Sequence, residues 1–222
     1  MRRLDFSEIK QYVVDFVEGR VEARDFMLRF QNDPNLPAWF QKNAPEGKVS
    51  YMSVPDESTW GVYSNIAVPY DIYLQIGESV HKPESISAQF EVHCQVSKFV
   101  LEVFPNEGIQ QSNKFRQRFH FLLDNCPSSV GGKEADFYVE KILNEIPEDL
   151  PKRIRAQLFR ERIKKAFHIE GKRHPRWLQP PEWPFNNGKP MRFASQASKG
   201  EMRFYLFEDV ETGEERVVIQ SY

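Results

Sequence analysis

Histidine and cysteine are the side chains in this sequence best suited to neutral-pH chemistry, and their spacing is unhelpful to it. There are five histidines, His81, His93, His120, His168 and His174, and two cysteines, Cys94 and Cys126. His93 and Cys94 are adjacent on a predicted helix and point in different directions, so they do not readily ligate one metal together. No HExxH, paired CxxC or carboxylate–histidine spacing occurs. His120, between Phe119 and Phe121, reads as a structural residue. The residue types therefore predict no catalytic set, no metal ligands and no cofactor. A Cys–His nucleophile built in space from Cys94 or Cys126 is the enzymatic alternative, and it needs a lowered thiol pKa.

The run Ser128-Ser129-Val130-Gly131-Gly132-Lys133 has the look of a phosphate loop without its spacing. A phosphate loop works through strand–loop–helix geometry, and no strand is predicted before this one. The run reads as a turn between helices.

Charge is unevenly spread. Residues 1–150 carry 15 Lys/Arg against 23 Asp/Glu, residues 151–176 carry 10 against 2, and residues 177–222 carry 5 against 7, within a net charge of −2. The basic stretch contains Lys152, Arg153, Arg155, Arg160, Arg162, Lys164, Lys165, Lys172, Arg173 and Arg176. One reading is a helix solvated on its basic face or packed against the acidic segment Glu134, Asp136, Glu140, Glu145, Glu148 and Asp149. The other is a patch for nucleic-acid phosphates, centred on Arg153, Arg155, Arg160, Arg162, Lys164 and Lys165. Against the second stand an overall acidic chain and the lack of stacking aromatics before Trp177. An acidic surface over 1–150 suits a basic partner, because complementary charge speeds association and excludes wrong partners.

The elements that carry these residues are mostly helices. At 40% hydrophobic and 14% aromatic, with 18 Phe, the chain is too apolar to be disordered and long enough to bury a sizeable core. Asp5 and Glu8 have capping-box spacing, followed by Ile9, Val13, Phe16 and Val17 at helical intervals and Gly19 as a stop. Short helices carrying Phe26, Phe30 and Trp39 follow. Residues 49–74 give no clear periodicity; Val49-Tyr51-Ser53 and Asn65–Val68 fit either strands or ordered loop. Four more helices are predicted. Their inward residues are Ile86, Phe90, Val96, Val100 and Leu101; then Phe115, Phe119, Leu122 and Leu123; then Phe137, Val139, Ile142, Leu143 and Ile146; and last Ile154, Leu158, Ile163 and Phe167. Prolines 175, 180, 181, 184 and 190 then enforce an extended linker. Strands are predicted over 192–196, 201–208 and 215–221, the last two joined by a turn at Glu211–Glu214.

The expected fold class is α+β: a mainly helical body over 1–172, a Pro/Trp-rich linker over 173–190 with Trp177 and Trp183 as packing residues, and a C-terminal antiparallel sheet of about three strands over 191–222. These three parts are also compatible with one single domain. No apolar run is long enough to cross a bilayer. Asp5, Glu8 and Lys10 interrupt any signal-peptide core, so a cytoplasmic, reducing location with free thiols is expected.

Two regions carry a family likeness. Glu182-Trp183-Pro184, Gly188-Lys189-Pro190-Met191, Phe193 and Gln196, then Phe207-Glu208-Asp209 and Thr212-Gly213-Glu214, resemble the tails of uncharacterised bacterial proteins associated with polymorphic toxin systems as immunity proteins. The opening, Tyr12–Arg20 with Asp25-Phe26 and Trp39, is similar to helical openings in such proteins. The resemblance implies a cytoplasmic inhibitor that binds a cognate toxin stoichiometrically, with no active site of its own. Nucleic-acid binding through 152–176 is the alternative.

Overall fold

The computed structural model describes residues 2–55, 63–171 and 173–221. Its fold is α+β, with eight α-helices and three antiparallel sheets among the described residues. The chain forms two compact units, 1–119 and 120–222. This division falls inside a helix, whereas composition drew its boundary at 172/173.

In the first unit, α1 (Phe6–Val17) begins at the expected capping box. The Asp5 carboxylate accepts from the backbone amides of Ser7 and Glu8, and Glu8 accepts from the Asp5 amide at 3.1 Å. Three of the helix start's unpaired amide donors are thereby satisfied. Ile9, Val13, Phe16 and Val17 are fully buried. The Phe16 ring stacks on Phe26 of α2 (Ala23–Asn32), with centroids 3.9 Å apart. Trp39 and Phe40 of α3 (Asn35–Asn43) close on Phe99 of α5 (Ile86–Val103). His93 on α5 is buried in this core, and its Nε2 donates to the Val17 carbonyl at 2.9 Å. Burial holds its pKa below the usual imidazole value.

Between α3 and α5 lie β1 (Val49–Pro55), β2 (Tyr63–Pro69) and α4 (Ile72–Ile76), followed by a 3-10 turn over Gly77–His81. β1 and β2 pair antiparallel along their whole length, so the stretch that gave no clear periodicity is a two-stranded ribbon.

α6 (Lys114–Asn125) runs from the first unit into the second, which also holds α7 (Lys133–Asn144) and α8 (Lys152–Ala166). After them come a small hairpin, β3 (Phe185–Asn186) with β4 (Lys189–Pro190), and the sheet β5 (Arg192–Lys199), β6 (Met202–Glu208) and β7 (Glu215–Ser221), in that order. The β6–β7 turn is built by Asp209, whose carboxylate accepts from the amides of Glu211 and Thr212, with Gly213 in the left-handed region. Tyr205 and Phe207 face inward from β6, while its other face carries Met202, Phe204 and Leu206 beside Val217 and Ile219 of β7.

Several helix faces are rotated from the expected register. Leu101, Leu123, Phe137 and Ile154 are exposed, whereas Val92, Phe99, Phe121 and Phe159 are buried. In α8 the apolar positions are too sparse to define one stripe, and Phe159 with Ile163 makes the contact.

The Pro-rich segment expected as an extended linker over 173–190 is extended only over 173–184, a strap whose polar groups are met largely by side chains, because 185–190 fold back as the β3–β4 hairpin. Trp177 Nε1 donates to Ser129 O and Trp183 Nε1 to Met191 O, both at 2.8 Å. The buried Gln220 accepts from the Leu178 and Gln179 amides and donates to Pro180 O, each at 3.0 Å. Tyr205 Oη donates to Arg176 O. Trp183 is buried among Phe167, Phe207 and Met191. Within the second unit, the end of α8, the strap and the sheet therefore share one aromatic core.

The Gly131-Gly132 pair serves this strap. Trp183 N donates to Gly131 O at 3.0 Å, and a Cβ on Gly132 would lie 3.2 Å from Pro181 O and 3.3 Å from Glu182 Cα. Gly132 also has φ +105°, which L side chains rarely adopt. Gly132→Ala is expected to destabilise the protein by about 2 kcal/mol or more, read as a lowered urea midpoint at unchanged m-value. An unchanged midpoint would show that the strap does not need this close approach.

Candidate functional site

Two exposed surfaces stand out, one in each unit. The first is the β1–β2 ribbon. Its base is anchored by Ser50, which is fully buried: Ser50 Oγ accepts from the Asp71 amide at 2.9 Å and from Gln75 Nε2 at 3.0 Å. Tyr70, just past β2, is buried against Phe99. Beyond that anchor the strands are exposed. Val49, Tyr51, Ser53, Tyr63, Asn65 and Ala67 share one face, with Ser53 Oγ donating to Asn65 Oδ1 at 2.6 Å; Met52 and Ile66 pair on the other. Tyr51 and Tyr63 are 67% and 65% exposed, while Met52 and Ile66 are near 40%. Tyr73 and Leu74 on the adjoining α4 are exposed as well.

The composition of the ribbon is as telling as its exposure. The strands VSYMSVP and YSNIAVP contain no charged residue in a chain that is 28% charged. Exposed strands normally carry lysine or another charge that blocks pairing with a second chain. Here no such residue lies in either strand, and each strand has one neighbour in the sheet. The two tyrosines offer large, rigid, amphipathic contact area.

The second surface is the outer face of α8. Burial of Phe159 and Ile163 turns Lys152, Arg153, Gln157, Arg160, Glu161 and Lys164 outward, where with Asp124, Asn125 and Ala156 they line a groove of about 770 Å³. The basic candidates separate into groups. Arg155 lies over the Phe121 ring, 4.6 Å from its centroid, and 3.8 Å from Glu148. Arg162 pairs with Glu145 at 3.6 Å. Arg160 Nη2 donates to Asn125 Oδ1 at 2.7 Å. Among the described residues, Lys152, Arg153 and Lys164 have no carboxylate partner, and Lys165 lines a separate recess of about 360 Å³ with Tyr138, Arg162, His168 and Lys189. Lys172 lies outside the described residues.

Among the described residues, the acidic segment 134–149 therefore answers Arg155 and Arg162. Trp177 and Trp183 lie in the packing of the second unit, Trp177 against Tyr205 and Phe207. The Asp124 and Asn125 lining of the groove was not legible in sequence, because α6 meets α8 only through the fold. The ribbon's exposed residues were missed because strands exposed on both faces lack the polar–apolar alternation that marks a half-buried strand.

The thiols are poorly placed for nucleophilic work. Burial raises the pKa of Cys94, and burial with the nearby Asp136 charge raises that of Cys126 to about 12. Among the described residues no cluster of three His, Cys, Asp or Glu is arranged to hold a metal ion, and no helix is long and apolar enough to cross a membrane.

No known family model, curated protein or solved structure matches this chain.

With the thiolate the reactive form, both cysteines should be alkylated by iodoacetamide at pH 8 at least 10-fold more slowly in the native protein than in urea-unfolded protein. Native alkylation of either faster than a free thiol would restore the Cys–His alternative.

Proposed function

We propose that this protein acts by binding another protein: an immunity protein that neutralises a cognate bacterial toxin by stoichiometric contact, with the β1–β2 ribbon as its principal contact surface. The observation that carries this reading is the ribbon itself, fixed at its base by Ser50 and Tyr70 and presenting Tyr51, Met52, Tyr63 and Ile66 to solvent with no charged residue in either strand. A stable monomer gains little by exposing these side chains, and exposed apolar patches mark interaction sites. A preformed surface also limits the ordering cost of association.

Electrostatics contributes less than the sequence suggested. The first unit has 13 Lys/Arg against 16 Asp/Glu, a modest excess, while the remaining acids of 1–150 belong to the unit that contains α8. An acidic contact face over 1–150 is thus split between two bodies. The contact expected here is apolar and aromatic, with charge acting mainly on the association rate.

The test uses the purified product of a neighbouring toxin gene, titrated calorimetrically with the full chain. The expected result is one-to-one binding, weakened 100-fold or more by Tyr51→Ala with Tyr63→Ala, at an unfolding temperature within a few degrees of the parent. Binding that the double substitution leaves unchanged would place the contact elsewhere.

A further inference from the structure

We propose that the outer face of α8 is a second binding surface, independent of the ribbon, and that its ligand is the phosphodiester backbone of duplex nucleic acid. The positive charge of 151–176 is not consumed within its unit. Among the described residues, Arg155 and Arg162 turn to the acidic segment, while Lys152, Arg153, Arg160 and Lys164 stay on one exposed helix face along one groove. Arg160 is oriented by Asn125 Oδ1, an uncharged acceptor that leaves its charge unanswered.

The ligand class follows from what the groove lacks. Among the described residues that line it, Ala156 is the one of apolar type and none is aromatic. Protein-binding surfaces are built around apolar or aromatic cores with charged residues depleted, and single-stranded nucleic acids are held by stacking on aromatic rings. A cationic face lined mainly by charged and polar side chains matches neither; it matches backbone contact to a duplex. Helical rise spreads the four cations over about 18 Å of axis, long enough to follow several phosphates of one strand. Asp124 and Glu161 share the groove, and Glu161 accepts from Gln157 Nε2 at 2.9 Å. Four cations against two carboxylates leave a net positive face that is weak and not sequence-specific.

The test is fluorescence anisotropy of a labelled 20-base-pair DNA duplex with the full-length protein between 50 and 200 mM NaCl. Four neutralised phosphates predict a log–log salt slope of about −3.6, an affinity loss of about 150-fold across that range. Arg153→Gln with Lys164→Gln should halve the slope to about −1.8 and weaken binding at least 10-fold at 50 mM. Lys199→Gln, on the sheet, should leave both unchanged, as should Tyr51→Ala with Tyr63→Ala. All these positions are at least partly exposed, and equal urea midpoints confirm that each variant is folded. The proposal is overturned by no binding at 50 mM NaCl with 100 μM protein, or by equal binding of the Arg153/Lys164 variant. Competition by polyglutamate as effective per charge as by duplex would also overturn it, assigning the face to acidic protein instead.

Discussion

A proline-rich strap cannot form its own hydrogen-bond ladder, and the second unit is arranged around satisfying it. Proline has no amide to donate and keeps its neighbours extended, so the carbonyls and remaining amides of 173–184, before the β3–β4 hairpin, must find partners elsewhere. Gln220 supplies three such contacts from β7, Tyr205 and Arg203 meet Arg176 O from β6, and Gly131 O receives the Trp183 amide. These partners come from β6, β7 and the turn before α7. The same strap inserts Trp183 between Phe167 of the α8 end and Phe207 of the sheet. Fixing α8 through Phe159, Ile163 and Phe167 leaves its cationic side no choice but to face water.

The first unit meets its requirements differently. Its core is a set of helices with ring-on-ring contacts running from Phe16 through Phe26, Phe30 and Phe40 to Phe99. The ribbon takes almost no part in that core beyond its base. An isolated two-stranded hairpin is marginal in water, so this one depends on the Ser50–Asp71 contacts and on Tyr70 for its position. Exposed apolar strands that add little to the core are a candidate contact surface, and the proposed function rests on them and not on charge.

How much was legible in the sequence varied with the physics involved. Helix starts governed by local chemistry, such as the Asp5–Glu8 capping box, read directly, as did the β6–β7 hairpin with its Gly213 turn. Which face a helix buries is decided by its neighbours and is not set by its own periodicity: Phe137 and Ile154 are apolar yet exposed, and Phe159 takes the inward place. The Gly131-Gly132 pair was correctly separated from phosphate loops, but its partner 50 residues away depends on tertiary structure. The basic run was visible as composition; which of its cations are spent on Glu145 and Glu148 required the packing of α7 beside α8.

The central claim is that the uncharged ribbon is where a protein partner sits. Hydrogen exchange of the full chain, with and without a bound toxin, tests it most directly, because unpaired strand-edge amides exchange quickly until a partner covers them. The account predicts slowed exchange confined mainly to 49–55 and 63–69, with the amides of 120–221 unchanged. Protection centred on the second unit, with the ribbon exchanging as in the free protein, would contradict it.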